Sequence, residues 1–97
     1  MNSTNGRKKI AILGYGAEGR AVLDFIRTRP EYRDADIWVL DKKPNLPLPF
    51  SVKGMMGDAY LDSLDTFDIV FRSPGVPLAL PEVRRARENG VEFSGAI

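Results

Sequence analysis

Apolar residues fall in short runs divided by polar, glycine- and proline-containing stretches, and the spacing inside the runs is of two kinds. Ile10-Ala11-Ile12-Leu13 is continuous, as expected of a strand covered on both faces of a parallel sheet, so Lys9 to Leu13 is predicted as the first strand. From Ala17 to about Arg29, Ala21, Val22, Phe25 and Ile26 recur at helical spacing, with Arg20, Asp24 and Arg27 on the other side. Pro30 prevents that helix from continuing. Asp36 to Asp41 reads as a second strand, β-branched and aromatic in the middle. Pro44, Pro47 and Pro49 stiffen the loop that follows, and Phe50 to Met56, interrupted by Gly54, is a poorly patterned third strand. Asp58 is expected to cap a short helix from Ala59 to Leu64, and Asp68 to Phe71 is the fourth strand. After the loop Ser73 to Pro77, Pro81 opens a helix whose exposed Arg84 is expected to pair with Glu88 and which Asn89-Gly90 stops. Val91 to Phe93 begins a fifth strand.

Strands alternating with helices imply βαβ crossovers, hence an α/β, Rossmann-like domain with a parallel sheet of about five strands and flanking helices. A chain of 97 residues lies below the per-domain prior of roughly 150, so one domain is expected, over 9–97, behind a frayed tail over 1–8. Because the last strand is so near residue 97, the domain is expected to be excised from a longer multidomain protein.

Composition narrows the chemistry more than the fold. Lys+Arg 14 against Asp+Glu 13 gives a net charge of +1, which offers no electrostatic basis for nucleic-acid binding. The absence of Cys and His removes thiolate nucleophiles, zinc-thiolate sites and the commonest general base and metal ligand, so no metal site is expected and any chemistry must use carboxylates, Lys, Tyr or a bound cofactor. Arg7-Lys8-Lys9 before Ile10 imitates a signal peptide, but Gly14, Gly16 and Glu18 end the apolar stretch too early. A cytoplasmic, monomeric domain without a membrane span is expected.

The chemistry-bearing string is Gly14-Tyr15-Gly16-Ala17-Glu18-Gly19, a G-x-G-x-x-G between the first strand and the first helix. That order aims backbone N–H groups and the positive end of a helix dipole at one point, which favours a bound phosphate. Glu18 suits the helix dipole but opposes a phosphate unless its side chain turns outward. Gly14 and Gly19 also have P-loop spacing, yet Arg20-Ala21 stand where Lys-Ser/Thr belong, so no Mg²⁺ ligand is present and ATP hydrolysis at this loop is not expected. Asp41 lies 22 positions after Gly19, near the offset of about 20 at which an acid meets a ribose in dinucleotide-binding folds. Lys42 and Lys43 follow and read, from composition alone, as solvated loop lysines. Ser73-Pro74-Gly75 follows the strand expected beside the first one; it reads equally as a turn or as the second rim of a crevice. An NAD(P)-binding dehydrogenase fragment or a nucleotide-sensing regulatory domain fits the glycine turn as well.

Together, Ile12-Leu13-Gly14-Tyr15-Gly16-Ala17-Glu18-Gly19-Arg20, Ser73-Pro74-Gly75-Val76-Pro77, Pro81-Glu82-Val83-Arg84-Arg85-Ala86-Arg87 and Gly90-Val91 resemble the N-terminal domain of the Mur ligases, from Lys9 to Ile97, and in particular those that add D-glutamate. The resemblance implies a domain that holds the UDP part of UDP-N-acetylmuramoyl-L-alanine. It implies a central ATP-binding and a C-terminal domain as partners in the parent enzyme, with ATP and magnesium as that enzyme's cofactors and none in this stretch. The ligation forms an amide through an acyl phosphate in peptidoglycan synthesis, and this stretch alone is expected to be inactive. By the same resemblance Gly14, Tyr15, Gly16, Ala17, Glu18 and Gly19 face the diphosphate and ribose. Asp41, Lys42 and Lys43 lie by the uracil, and Ser73, Pro74 and Gly75 line the opposite wall. Ala96 departs from the family, which carries an acid there, and so does Glu18.

Overall fold

A computed structural model describes residues 7–77 and 79–94. Its centre is β1, Lys9–Leu13, in which Ile10, Ala11, Ile12 and Leu13 are wholly buried. A strand this apolar needs cover on both faces, and it has it. Ile10 and Ile12 point into one core cluster with Val39, Ile69 and Phe71, while Ala11 and Leu13 point into another with Leu40 and Val70, the period-two alternation of a pleated strand.

The chain runs from β1 through α1 (Ala17–Thr28), β2 (Asp36–Asp41), β3 (Lys53–Met56), β4 (Ile69–Arg72) and α2 (Pro81–Glu88) to β5 (Glu92–Ser94). All pairings are parallel, in the order β3-β2-β1-β4-β5. β1 pairs with β2 from Lys9 opposite Asp36 to Leu13 opposite Leu40, and with β4 from Ile10 opposite Ile69 to Leu13 opposite Arg72. The strand order therefore reverses between β1 and β4. Crevices form at such a reversal, at the C-terminal ends of the strands.

Helix α1 covers one face through Gly19, Val22, Leu23 and Ile26. Helix α2 covers the other through Val83 and Ala86, beside Leu61, Leu64, Phe67 and Val91. After α1, Pro30 does more than end a helix: it opens a 3-10 turn, Pro30–Tyr32. Asn89 receives the end of α2, and Gly90, at φ +95, takes the left-handed conformation that follows it.

Several expectations need correction. The third strand begins at Lys53 rather than Phe50, because Ser51 takes a left-handed φ of 71 and Val52 N–H closes a turn onto Pro49 O at 3.2 Å. Asp58 caps no helix. Residues 57–66 form successive i to i+3 turns (Tyr60 N–H to Gly57 O, Asp62 N–H to Ala59 O, Leu64 N–H to Leu61 O) and end in a 3-10 turn, Leu64–Thr66. Leu61, Leu64 and Phe67, three apart, are the buried residues of this path, a spacing that successive 3-10 turns keep on one side. The ion pairs among the described residues are Arg29–Glu31 and Lys53–Asp36, so the expected Arg84–Glu88 pair is not formed. Within the supposed tail, Arg7 Nε donates to Asp34 O at 2.8 Å and Lys8 O accepts from Asp36 N–H at 2.7 Å. Met1 to Gly6 and Ala96 lie outside the described residues.

Candidate functional site

At the end of β1 the chain must turn sharply. Gly14 donates its N–H to Leu40 O at 2.8 Å and adopts a φ of +92, which a residue with a Cβ rarely takes. Tyr15 N–H then donates to Asp41 Oδ2 at 2.7 Å. Lys43 N–H donates to the other oxygen, Asp41 Oδ1, at 2.8 Å. The half-buried Asp41 carboxylate thus ties the glycine turn to the end of β2 and shapes its own loop; the structure gives it a scaffolding part that sequence reasoning did not assign.

The next four N–H groups behave differently. Gly16, Ala17, Glu18 and Gly19 open α1, where a helix has no internal acceptor to offer, and Gly16 brings no capping side chain. None of these four donors meets an acceptor among the described residues. They carry the positive end of the helix dipole as well. Glu18 is exposed and lines the same opening.

The glycines differ in what they permit. A Cβ on Gly19 would collide with the Gly14 carbonyl, so this glycine lets α1 lie against the turn. A Cβ on Gly14 would sit 3.0 Å from Ser73 Oγ. A Cβ on Gly16 would meet nothing within 4 Å, at an extended backbone of φ -93 and ψ -153. No neighbour in the fold demands a glycine at 16, and the space beside it is open.

From β4, Ser73 N–H donates to Leu13 O at 3.0 Å and Ser73 Oγ to Gly14 O at 3.1 Å, which seals the 73–76 turn onto the glycine turn. The half-buried Arg72 braces that turn from behind, its Nη1 donating to Ser73 O at 3.2 Å and Val76 O at 2.7 Å. No sequence signal marked Arg72, which stood just beyond the strand expected over Asp68 to Phe71 and ends β4 here.

These loops enclose a cleft of about 340 Å³ lined by Gly14, Tyr15, Gly16, Ala17, Glu18, Asp41, Lys42, Tyr60, Ser73, Gly75 and Val76. Nine of the expected positions meet there. Three do not: Gly19 is buried beneath the turn, while Lys43 and Pro74 are exposed away from the lining. Tyr60 and Val76 are additions. Val76 belonged to a noted motif without a role, and Tyr60 lay in a segment read as a helix, which hid where its ring would go.

A larger cleft, about 420 Å³, lies at the far end of α1 among Arg27, Arg29, Arg33, Tyr32 and Val52. Its guanidinium groups are partly spent, Arg27 on Phe50 O at 3.0 Å and Arg29 on Glu31 at 3.1 Å, and the helix end it adjoins is the negative one. Backbone hydrogen bonding of Glu31, and after it the hydrogen bond from Arg29, hold that carboxyl below its usual value. The N–H groups without acceptors and the positive end of the helix dipole lie at the other end.

The glycine turn departs from a P-loop. Two of its N–H groups are consumed by Leu40 and Asp41, and Arg20, where a P-loop has its lysine, lies over the Tyr15 ring at 5.3 Å. No group of three metal-ligating side chains is present among the described residues. Nor is any helix among them long and apolar enough to cross a membrane.

Residues 8–95 match the family described as Mur ligase MurD-like, N-terminal domain. Among curated proteins the chain is 37% identical over 96 residues to a protein of Acetivibrio thermocellus, covering 90% of this chain and 20% of that one. It is 34% identical to a protein of Protochlamydia amoebophila (93% and 21% covered) and 36% identical to one of Yersinia pestis (93% and 20%). All three are named UDP-N-acetylmuramoylalanine--D-glutamate ligase. The chain spans about a fifth of the length of these relatives. With its parallel sheet, its glycine turn and its Ser-Pro-Gly loop closing on that turn, the chain belongs to the MurD-like family of Mur ligase N-terminal domains.

Proposed function

We propose that this domain binds the UDP part of UDP-N-acetylmuramoyl-L-alanine for a ligase that joins D-glutamate to it in peptidoglycan synthesis. The observation that carries the reading is the set of four acceptor-free N–H groups at Gly16 to Gly19, opening beside a Gly16 that has no side chain and no packing neighbour. A diphosphate needs such donors and such an approach. Asp41 and Lys42 supply an acceptor and a cation at the end of β2 for the nucleoside, and Ser73 and Gly75 close the opposite rim. Ligation, with ATP and magnesium, belongs to the central and C-terminal domains of the parent enzyme in this reading, and the domain alone is inactive. Its isolated affinity for UDP is weak, because contacts from those domains would add to it.

The competing reading is a nicotinamide dinucleotide site, favoured by the acid at Asp41. In that reading the loop from Ser73 has no assigned part, yet here it is hydrogen bonded directly to Gly14. Calorimetric titration with UDP and with NADH separates the two. Binding of UDP that NADH does not displace is expected; binding of NADH with none of UDP would overturn the proposal.

A further inference from the structure

The cleft is divided chemically. Its α1 side presents the free N–H groups, whereas Tyr60 and Val76 pack against the core cluster on the α2 face of the sheet and reach the same opening from there. Tyr60 is placed by a short chain of backbone bonds that starts at the site: Asp41 O accepts from Gly57 N–H at 3.0 Å, and Gly57 O accepts from Tyr60 N–H at 3.2 Å. Gly57, at φ +87, makes that reversal possible. The Tyr60 ring is half-buried yet takes part in neither ring pair among the described residues, Tyr32–Phe71 and Trp38–Phe67, and its hydroxyl has no hydrogen-bond partner among them. An aromatic ring that packs against the core, lines the cleft and belongs to neither of those ring pairs can serve as a stacking platform.

We propose that Tyr60 is the base-recognition residue of this cleft: the flat nucleobase of a nucleoside diphosphate lies on its ring, beside Asp41 and Lys42, while the diphosphate sits at the start of α1. The inference rests on the nucleotide-binding reading above and adds to it the residue that recognises the base. Stacking on an aromatic ring is tolerant of base identity, so Tyr60 supplies affinity for a base as such, and the groups of residues 41 and 42 select its edge.

The test uses the wild-type chain, Tyr60→Phe and Tyr60→Ala, each titrated with UDP and with inorganic pyrophosphate. Tyr60→Ala is expected to weaken UDP binding at least about fivefold, the lower end of what base stacking contributes, and to leave pyrophosphate binding unchanged. Tyr60→Phe retains the ring and is expected to bind UDP within about twofold of wild type. Equal UDP affinity in wild type and Tyr60→Ala overturns the inference and leaves the nucleotide reading standing. So does a parallel loss of pyrophosphate binding, which would mean that the cleft had collapsed, or a loss in Tyr60→Phe as large as in Tyr60→Ala, which would assign the effect to the hydroxyl. A wild-type chain that binds neither ligand overturns the nucleotide reading itself, and this inference with it.

Discussion

Gly19 cannot gain a side chain without pushing α1 off the Gly14 carbonyl, and Gly14 cannot gain one without strain at a φ of +92. Gly16 can, since its backbone is extended and its surroundings are empty. Substitution at 16 therefore isolates ligand approach from folding. Gly16→Val is expected to stay folded, losing about 0.5–1 kcal/mol as a poorer N-cap and a few degrees of melting temperature, and to abolish UDP binding. Gly19→Ala is expected to cost about 1–3 kcal/mol of stability. Thermal unfolding followed by circular dichroism, with UDP titration of the same samples, reads both; undiminished UDP binding by Gly16→Val would remove the phosphate role of the turn. At this scale the sequence is legible where a residue acts through its own type, as Gly14 does at its left-handed turn. It is silent where the role depends on which loop folds back: the bonds from Tyr15 and Lys43 to Asp41, and the brace from Arg72 to Val76 O, follow from the register of β1 against β2 and β4.

Among the elements, β1, α1, β2 and α2 declare themselves through strong periods and clear stops, because a strand buried on both faces and an amphipathic helix each leave one unmistakable pattern. Residues 57–66 do not. Leu61, Leu64 and Phe67 satisfy a helical template over two turns, and only the sheet beneath decides that the path is tighter. The start of β2 carries an electrostatic device too. Burial pushes the Asp36 carboxyl up, but hydrogen bonds from Lys53 Nζ at 3.1 Å and Trp38 Nε1 at 3.2 Å, with the charge of Lys53, outweigh it and hold Asp36 below 3.8. The folded value is the lower one, so this stabilisation is present above the unfolded value and is lost as pH falls below about 3.8 toward the folded value. Asp36→Asn is therefore expected to lower the melting temperature slightly at neutral pH and to converge with wild type in acid. A difference that stays constant with pH would contradict the assignment. The pair is surface-exposed on the lysine side, so the effect is small.

For the molecule as a whole, the order β3-β2-β1-β4-β5 carries the functional argument. Reversal between β1 and β4 leaves the loops after those strands to face each other, and the Ser73 hydroxyl closes them together at Gly14. Sequence reasoning reached the parallel sheet and both rims, since strand alternation and the resemblance to Mur ligases point the same way. It missed the apolar wall at Tyr60 because a wall belongs to no single element. The arrangement also separates two cavities: one at the positive end of α1 with unspent donors, and one at its negative end where Arg27 and Arg29 are already engaged. The central claim is that a nucleoside diphosphate uses the first. Amide chemical shifts recorded while UDP is added test it most directly. The largest changes are expected at Gly16, Ala17, Glu18 and Gly19, with a second set at Ser73, Gly75 and Val76. UDP binding that leaves those amides unmoved, or that gathers its shifts around Arg27, Arg29 and Arg33, would contradict the account.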